Sequence, residues 1–182
     1  MDLPATLLEY FGQPLPVDME GRSLRPVIEG DQAIREGALF GIFGGQICCT
    51  DGKWVYMRSP VLSNQPRYEY TLMPTRHGGR RAFINHEILR SMKLHQSFPF
   101  TKGIPVLKLE STNYISQADY PTLMFCIQKD PEEQYPVKDT EQEKRMLELM
   151  KKMMLENACP EEQFIRMGID NNSRDEYAGT DL

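Results

Sequence analysis

Residues 46–58 read QICCTDGKWVYMR, two apolar runs that meet at Asp51 and Gly52. An Asp-Gly pair between such runs supports the positive φ of a tight hairpin turn, whose twist matches that of the flanking strands. The stretch therefore predicts an antiparallel hairpin made by residues 46–50 and 53–58.

The surrounding chain supplies further elements of the same fold. Apolar runs predict strands at residues 38–43, 104–109 and 122–128, and a helical pattern follows from Thr140 to Asn157. One side of this helix carries Met146, Met150, Met153 and Met154 beside Leu147 and Leu149. We interpret these methionines as core-filling side chains rather than metal or ligand contacts. The predicted class is α+β, a small antiparallel sheet of about four strands covered by a long C-terminal helix.

The segment from Ser59 to Gly103 has no clean apolar period and is rich in Pro, Gly, Arg and aromatic residues. It predicts a long irregular arm that contains one short helix near residues 84–92, INHEILRSM. An excursion of this length in a small domain is usually functional, or it packs on a neighbour. Under both interpretations, the role of the arm depends on what it contacts.

The first twelve residues, MDLPATLLEYFG, predict a short helix capped by Asp2 and ended by Gly12. Its apolar side carries Leu3, Leu7, Leu8 and Phe11. A helix of about three turns is not stable alone and needs a surface to lie on. We therefore expect this helix to belong to something larger.

Composition limits the classes of partner. The chain of 182 residues has 21 basic and 26 acidic residues, a net charge of -5, which argues against a nucleic-acid partner. It contains no apolar stretch long enough to cross a bilayer and no basic segment followed by an apolar run at its start. The prediction is a cytoplasmic protein with no membrane partner. In that compartment its cysteines are expected to be reduced thiols: Cys48, Cys49, Cys126 and Cys159.

The phrases DLPATLLEYFG, GRSLRPVIEG and ALFGIFGGQICCTDGKWVYMR occur in that order, followed by NQPRYEYTLMPTRHGG, FPFTKGIPVLKL and ENACPEEQFIRMGI. This ordered series resembles the C-terminal part of bacterial sulfatases, of the arylsulfatase-like branch of the alkaline-phosphatase-like superfamily. The resemblance implies a small subdomain of sheet and helix beside a large α/β catalytic domain. Residues 1–30 would then be the last helices and linker of the missing catalytic domain, residues 31–169 the subdomain, and residues 170–182 a polar tail.

The chemistry of that family can be compared with the motifs in this chain. Sulfatases use a formylglycine made from the Cys or Ser of a CxPxR-type motif, with a divalent metal, usually calcium. No cysteine here has Pro two positions later and Arg four positions later, and Ser97 is followed by Pro99 but then by Thr101 where the family has Arg. An Asp-Asn pair occurs at Asp170 and Asn171, in the polar tail. We expect no catalytic residue, metal ligand or cofactor in this chain.

The resemblance also implies that the subdomain contributes to substrate recognition. The loop PTRHGGRR, residues 74–81, presents cationic donors between glycines, so His77 and then Arg76 are the predicted substrate-binding residues. Plain solvated surface is the alternative for this cluster. The other candidate residues give weaker signals for substrate binding. Surface or packing roles are predicted for His86 and His95, and Lys102 is a lone lysine. Tyr68 and Tyr70 suit either a pocket wall or a strand edge.

Two functions follow from these expectations. The first is a C-terminal fragment of a sulfatase-type sulfuric ester hydrolase, inactive alone, whose partners are the missing N-terminal catalytic domain and a sulfated substrate at the interface. The alternative is a stand-alone binding or interaction module derived from that subdomain, with an anionic sugar or another protein as its ligand. Exposure of the apolar side of the first helix favours the fragment, whereas a module would bury it or dimerise over it.

Overall fold

The computed structural model describes residues 1–73, 86–111 and 120–169, and these residues form a mixture of helices and antiparallel strands. The helices are α1 (Asp2–Tyr10), α2 (Arg25–Gly30), α3 (His86–Ser91), α4 (Thr140–Glu156) and α5 (Glu161–Met167), with one 3-10 turn at Pro99–Thr101. The strands are β1 (Ala38–Gly41), β2 (Ile47–Thr50), β3 (Trp54–Arg58), β4 (Tyr68–Thr71), β5 (Lys93–His95), β6 (Val106–Glu110) and β7 (Leu123–Cys126).

The strands form two sheets, and the chain divides into two compact units. The first unit comprises Met1–Glu36 and Glu69–Glu110, and the second comprises Gly37–Tyr68 and Ser111–Leu182. The division predicted at residues 30 and 169 stays a prediction, and the tail after residue 169 lies outside the described residues.

The second unit holds a four-stranded sheet in the order β1-β2-β3-β7, in which every neighbouring pair is antiparallel. The predicted hairpin is confirmed, since Cys49 lies opposite Tyr56 and the positive φ of the turn, 84°, falls on Gly52. Asp51 Oδ1 accepts hydrogen bonds from the backbone N–H groups of Lys53 (2.9 Å) and Trp54 (2.7 Å). These bonds fix the turn and, with it, the register of both strands.

The core of this unit is rich in sulfur. Cys49 and Tyr56 from the hairpin share one buried cluster with Met146, Met150 and Met154 of α4. The prediction that the methionines fill the core is confirmed for these three, while Met153 is partly buried beside them. The Tyr56 hydroxyl satisfies its hydrogen-bonding capacity at the edge of the core by donating to Glu143 Oε1 at 3.1 Å.

The ends of α4 agree with the helix predicted from Thr140 to Asn157. Asp139 caps the helix by accepting from the backbone N–H of Gln142 at 3.0 Å. Arg145 of α4 places Nη2 2.5 Å from Asp51 Oδ2. This ion pair joins the helix to the hairpin turn.

A buried arginine joins α5 to two loops of the same unit. Arg166 Nη1 donates to the Gly45 carbonyl (2.9 Å) and to Asn64 Oδ1 (3.0 Å), and Asn64 Nδ2 donates to the Gly44 carbonyl (2.8 Å). Burial and the nearby positive charge of Arg67 lower the pKa of Arg166 to about 10. The guanidinium therefore stays protonated at neutral pH and acts as a structural donor.

The first unit holds a three-stranded sheet in the order β4-β6-β5. The strand predicted at residues 104–109 exists as β6, but it belongs to this separate sheet. The segment predicted as an irregular arm contains more regular structure than expected, because β4, β5 and the 3-10 turn lie within it. The short helix predicted in this arm is confirmed as α3. Strands of three or four residues leave no periodic signal, and β6 stabilises them by pairing.

The cap predicted for α1 is wrong. Met1 stands at the N-cap, and Asp2 accepts from the backbone N–H of Arg22 at 2.8 Å and pairs with Arg35. The hydrogen bond from Arg35 and that from Arg22 lower the pKa of Asp2. A carboxylate near a helix N-terminus is thus used to attach the helix to a neighbouring segment rather than to cap it.

Replacing Met150 by Ala tests the sulfur-rich core. The loss of a fully buried side chain should lower the free energy of unfolding by about 2–5 kcal/mol, which urea denaturation measures. The matched control is Glu148→Ala on the exposed side of α4, which should change it by less than about 0.5 kcal/mol. Equal effects of the two substitutions would contradict this packing.

Candidate functional site

The residues predicted to bind substrate, Arg76 and His77, lie outside the described residues, as do Asp170 and Asn171. Their roles therefore stay predictions.

Two buried thiols of the second unit, Cys48 and Cys49, are not activated nucleophiles. Cys48, Cys49 and Cys126 are buried, Cys159 is half-buried, and none of these four described residues forms a disulfide, as predicted. Burial raises the pKa of Cys48 and that of Cys49 to about 11. A nucleophilic cysteine needs the thiolate at neutral pH, so these two thiols are built for packing.

The raised pKa values predict how stability changes with pH. In the unfolded chain Cys48 and Cys49 ionise near pH 9.0, whereas in the folded chain they hold their protons to about pH 11. The stabilisation from these buried thiols is complete below pH 9 and is lost as the pH rises toward 11. Urea unfolding from pH 8 to 11 should show this decline, and the double variant Cys48→Ala, Cys49→Ala should show a shallower one. Identical slopes would contradict the assignment.

Metal ligation has no support in the described ranges. Within residues 1–73, 86–111 and 120–169, no three His, Cys, Asp or Glu side chains are placed to hold a metal ion. In the same ranges no helix has the length and apolar character needed to cross a membrane.

An open cleft of about 660 Å³ lies in the first unit between α1 and α2. Its charged side chains neutralise one another, because Arg25 lies 2.8 Å from Glu29 and 3.6 Å from Glu9. The cleft therefore offers no excess charge to recognise an ionic ligand.

A rigid loop in the first unit carries two phenylalanines. Thr101, which is buried, uses its hydroxyl to accept from the backbone N–H of Phe98 at 3.0 Å and lies 2.9 Å from the carbonyls of Phe98 and Ile104. Pro99 fixes one φ angle of the 3-10 turn. The loop holds Phe98 and Phe100 with parallel rings, 2° apart in plane and 5.5 Å apart at their centroids.

These rings continue onto the three-stranded sheet. His95 stacks on Phe98 at 5.3 Å, and Tyr70 sets its ring edge-to-face with His95 (5.0 Å) and with Phe98 (5.1 Å). Lys108 Nζ lies 5.4 Å from the centre of the Tyr70 ring, within cation–π range. We call this group, Tyr70, His95, Phe98, Phe100 and Lys108, the aromatic cluster.

Sequence reasoning found part of the aromatic cluster. It predicted that Tyr70 lines a pocket wall or a strand edge and that His95 has a surface or packing role. The structure places both side chains in one cluster, and it pairs Lys102 with Asp18 at 3.1 Å. The two phenylalanines were missed as site residues, although a Phe-Pro-Phe run beside a strand is a signal for rings presented by a stiff loop.

The helix α1 presents a second surface in the first unit. Its Ala5 is fully buried, and its Thr6 hydroxyl accepts from the backbone N–H of Leu24 at 2.9 Å. On the other side Leu3 is 67% exposed, Leu7 56% and Phe11 68%. Large apolar side chains at helical spacing with this exposure indicate an interaction surface.

Comparison of the sequence with protein-family models and with curated proteins gives no match. Any function for this chain consequently rests on its own residues.

Proposed function

We propose that this chain is the C-terminal subdomain of a sulfatase-type sulfuric ester hydrolase and that it does not hydrolyse sulfate esters on its own. Its partner would be a catalytic domain that supplies the formylglycine and the divalent metal, usually calcium. His77 and Arg76 would contribute to binding the sulfated substrate at the interface with that domain.

One observation carries this proposal. The apolar side of α1, with Leu3, Leu7 and Phe11, is exposed, as expected for a helix whose neighbour is another domain. Leu8, the fourth residue of the predicted apolar side, is half-buried.

We also propose that α4 covers one face of the four-stranded sheet in the second unit. The shared burial of Met146 and Met150 with Cys49 and Tyr56 supports this assignment, because directly opposed Cys49 and Tyr56 point to the same face.

Sequencing the DNA upstream of the Met1 codon, in all three frames, tests the origin. The proposal expects a CxPxR-type motif followed by a metal-binding Asp-Asn pair. The encoded halves, joined in one polypeptide, should release sulfate from an aryl sulfate in the presence of calcium, whereas the 182-residue chain should release none. Stop codons without these motifs, or turnover by the chain alone, would contradict the proposal.

The exposed side of α1 predicts a concentration-dependent self-association of the isolated chain. Light scattering after size exclusion should show a mass rising above 21.0 kDa as the concentration increases. Leu7→Lys should abolish the rise, with a change in the free energy of unfolding below about 0.5 kcal/mol because the side chain is exposed.

The matched control is Leu62→Lys, at a leucine that is 85% exposed outside α1. It should leave the self-association unchanged. A wild-type chain that stays monomeric throughout, or an equal effect of both substitutions, would show that α1 offers no docking surface.

A stand-alone binding module is the second candidate, and the aromatic cluster favours it. Rings held on a stiff loop beside a sheet can bind a ligand without a catalytic domain. If the upstream DNA lacks the sulfatase motifs, this candidate replaces the first.

A further inference from the structure

The two edge strands of the four-stranded sheet differ in what lies beside them. The strand β7 is buried along three of its four residues, and its Met124 carbonyl accepts from the backbone N–H of Val137 at 2.7 Å. In β1, at the opposite edge, three of the four residues are exposed. The chain itself thus bonds to the β7 edge, whereas β1 lies at the surface.

The backbone of β1 pairs with β2 on one side. In this antiparallel register Ala38 lies opposite Thr50, and Gly41 lies opposite Ile47. Each strand of such a ladder directs alternate N–H and C=O groups to opposite sides, so about half of the β1 groups point away from β2. Within residues 1–73, 86–111 and 120–169, no backbone group outside β2 hydrogen-bonds to β1. Edge groups of this kind are a template for a further strand.

The side chains along this edge are apolar and uncharged. Phe40 of β1 is 47% exposed, and Ile42, directly after the strand, is 52% exposed. Residues 37–50 contain no charged residue, although 26% of the chain is charged. Proteins commonly protect an open edge with charged residues or proline, and β1 contains neither. This edge is therefore suited to pairing.

Buried side chains hold the turn that follows β1. Asn64 Nδ2 donates to the Gly44 carbonyl at 2.8 Å, and Arg166 Nη1 donates to the Gly45 carbonyl at 2.9 Å. A Cβ added at Gly45 would lie 2.7 Å from Ile42 Cγ1, so the glycine is needed for Ile42 to pack over the turn. The exposed Ile42 is thus preorganised, which lowers the entropic cost of a contact.

We propose that β1 binds β1 of a second copy of this chain, edge to edge and antiparallel, so that the two four-stranded sheets become one continuous sheet. In a two-fold contact each residue lies near its own counterpart, so a charged residue there would repel itself. An uncharged edge avoids this repulsion in a chain whose net charge is -5. This charge pattern favours a second copy as the occupant.

The arrangement of the sheet also limits the assembly to two copies. Val137 already bonds to the β7 edge, so β1 is the edge of this sheet that accepts a strand. Two copies that pair through β1 use both of these edges, and the contact closes on itself. The expected product is a dimer rather than a fibre.

This dimer is separate from the association through α1. The strand β1 belongs to the second unit, and α1 belongs to the first. Neither proposed function assigns a role to β1, and the inference goes beyond both. Leu7→Lys removes the association through α1 and leaves the β1 contact unchanged, so the two surfaces can be tested one at a time.

Light scattering of the full 182-residue chain carrying Leu7→Lys tests the inference. Its mass should be about twice 21.0 kDa at every concentration measured. Adding Phe40→Lys should return the mass to 21.0 kDa, because it opposes like charges across the contact. Ile42→Lys should do the same and replaces Phe40→Lys if that variant does not fold. The matched control is Leu62→Lys, at an exposed leucine of the same unit, which should stay dimeric.

Hydrogen exchange followed by mass spectrometry identifies the backbone that pairs. In the Leu7→Lys dimer, the amides of residues 38–41 should exchange at least about tenfold more slowly than in the monomer that also carries Phe40→Lys, after correction for the new side chain. The amides of β7 are the internal control. They should exchange at the same rate in both proteins, because their edge does not change.

Four results would overturn the inference. A Leu7→Lys chain that stays at 21.0 kDa would show that β1 does not dimerise. A dimer that survives both Phe40→Lys and Ile42→Lys, or one whose β1 amides exchange rapidly, would show that another surface makes the contact. Slow exchange of β1 in the monomer would show that the chain itself covers this edge.

Discussion

The carboxylate of Asp51 is the group on which the four-stranded unit depends. One oxygen accepts two backbone N–H groups of the hairpin turn, and the other receives the Arg145 guanidinium from α4. Burial acts to raise the pKa of Asp51, but the hydrogen bonds from Arg145, Trp54 and Lys53 outweigh it, so the pKa is lowered. The ionised side chain thereby joins the register of the hairpin to the position of the long helix.

That register decides which side chains form the core. With Cys49 opposite Tyr56, both belong to the buried cluster that contains methionines of α4, and a slip by one residue would exchange them for their neighbours. The buried Arg166 joins α5 to the loops at Gly45 and Asn64. Charged groups thus fix the connections, while sulfur-containing side chains fill the space between them.

The first unit leaves several large apolar and aromatic side chains exposed instead of burying them. Its α1 leaves Leu3 and Leu7 exposed, and its stiff loop holds an exposed Phe100 parallel to Phe98. These features suit the binding of partners and ligands.

The sequence determined the elements whose signals are local. Turn chemistry and apolar periodicity act over a few residues, and they predicted the Asp51-Gly52 turn, the methionine side of α4 and the short helix α3. The candidate site was predicted less well, since Tyr70 and His95 are 25 positions apart and their loop partners give no periodic signal. Only the tertiary structure could show that β6 belongs to a second sheet, that Arg145 forms an ion pair with Asp51 and that Lys93 lies opposite Lys108. Such contacts depend on long-range pairing, which a linear pattern does not encode.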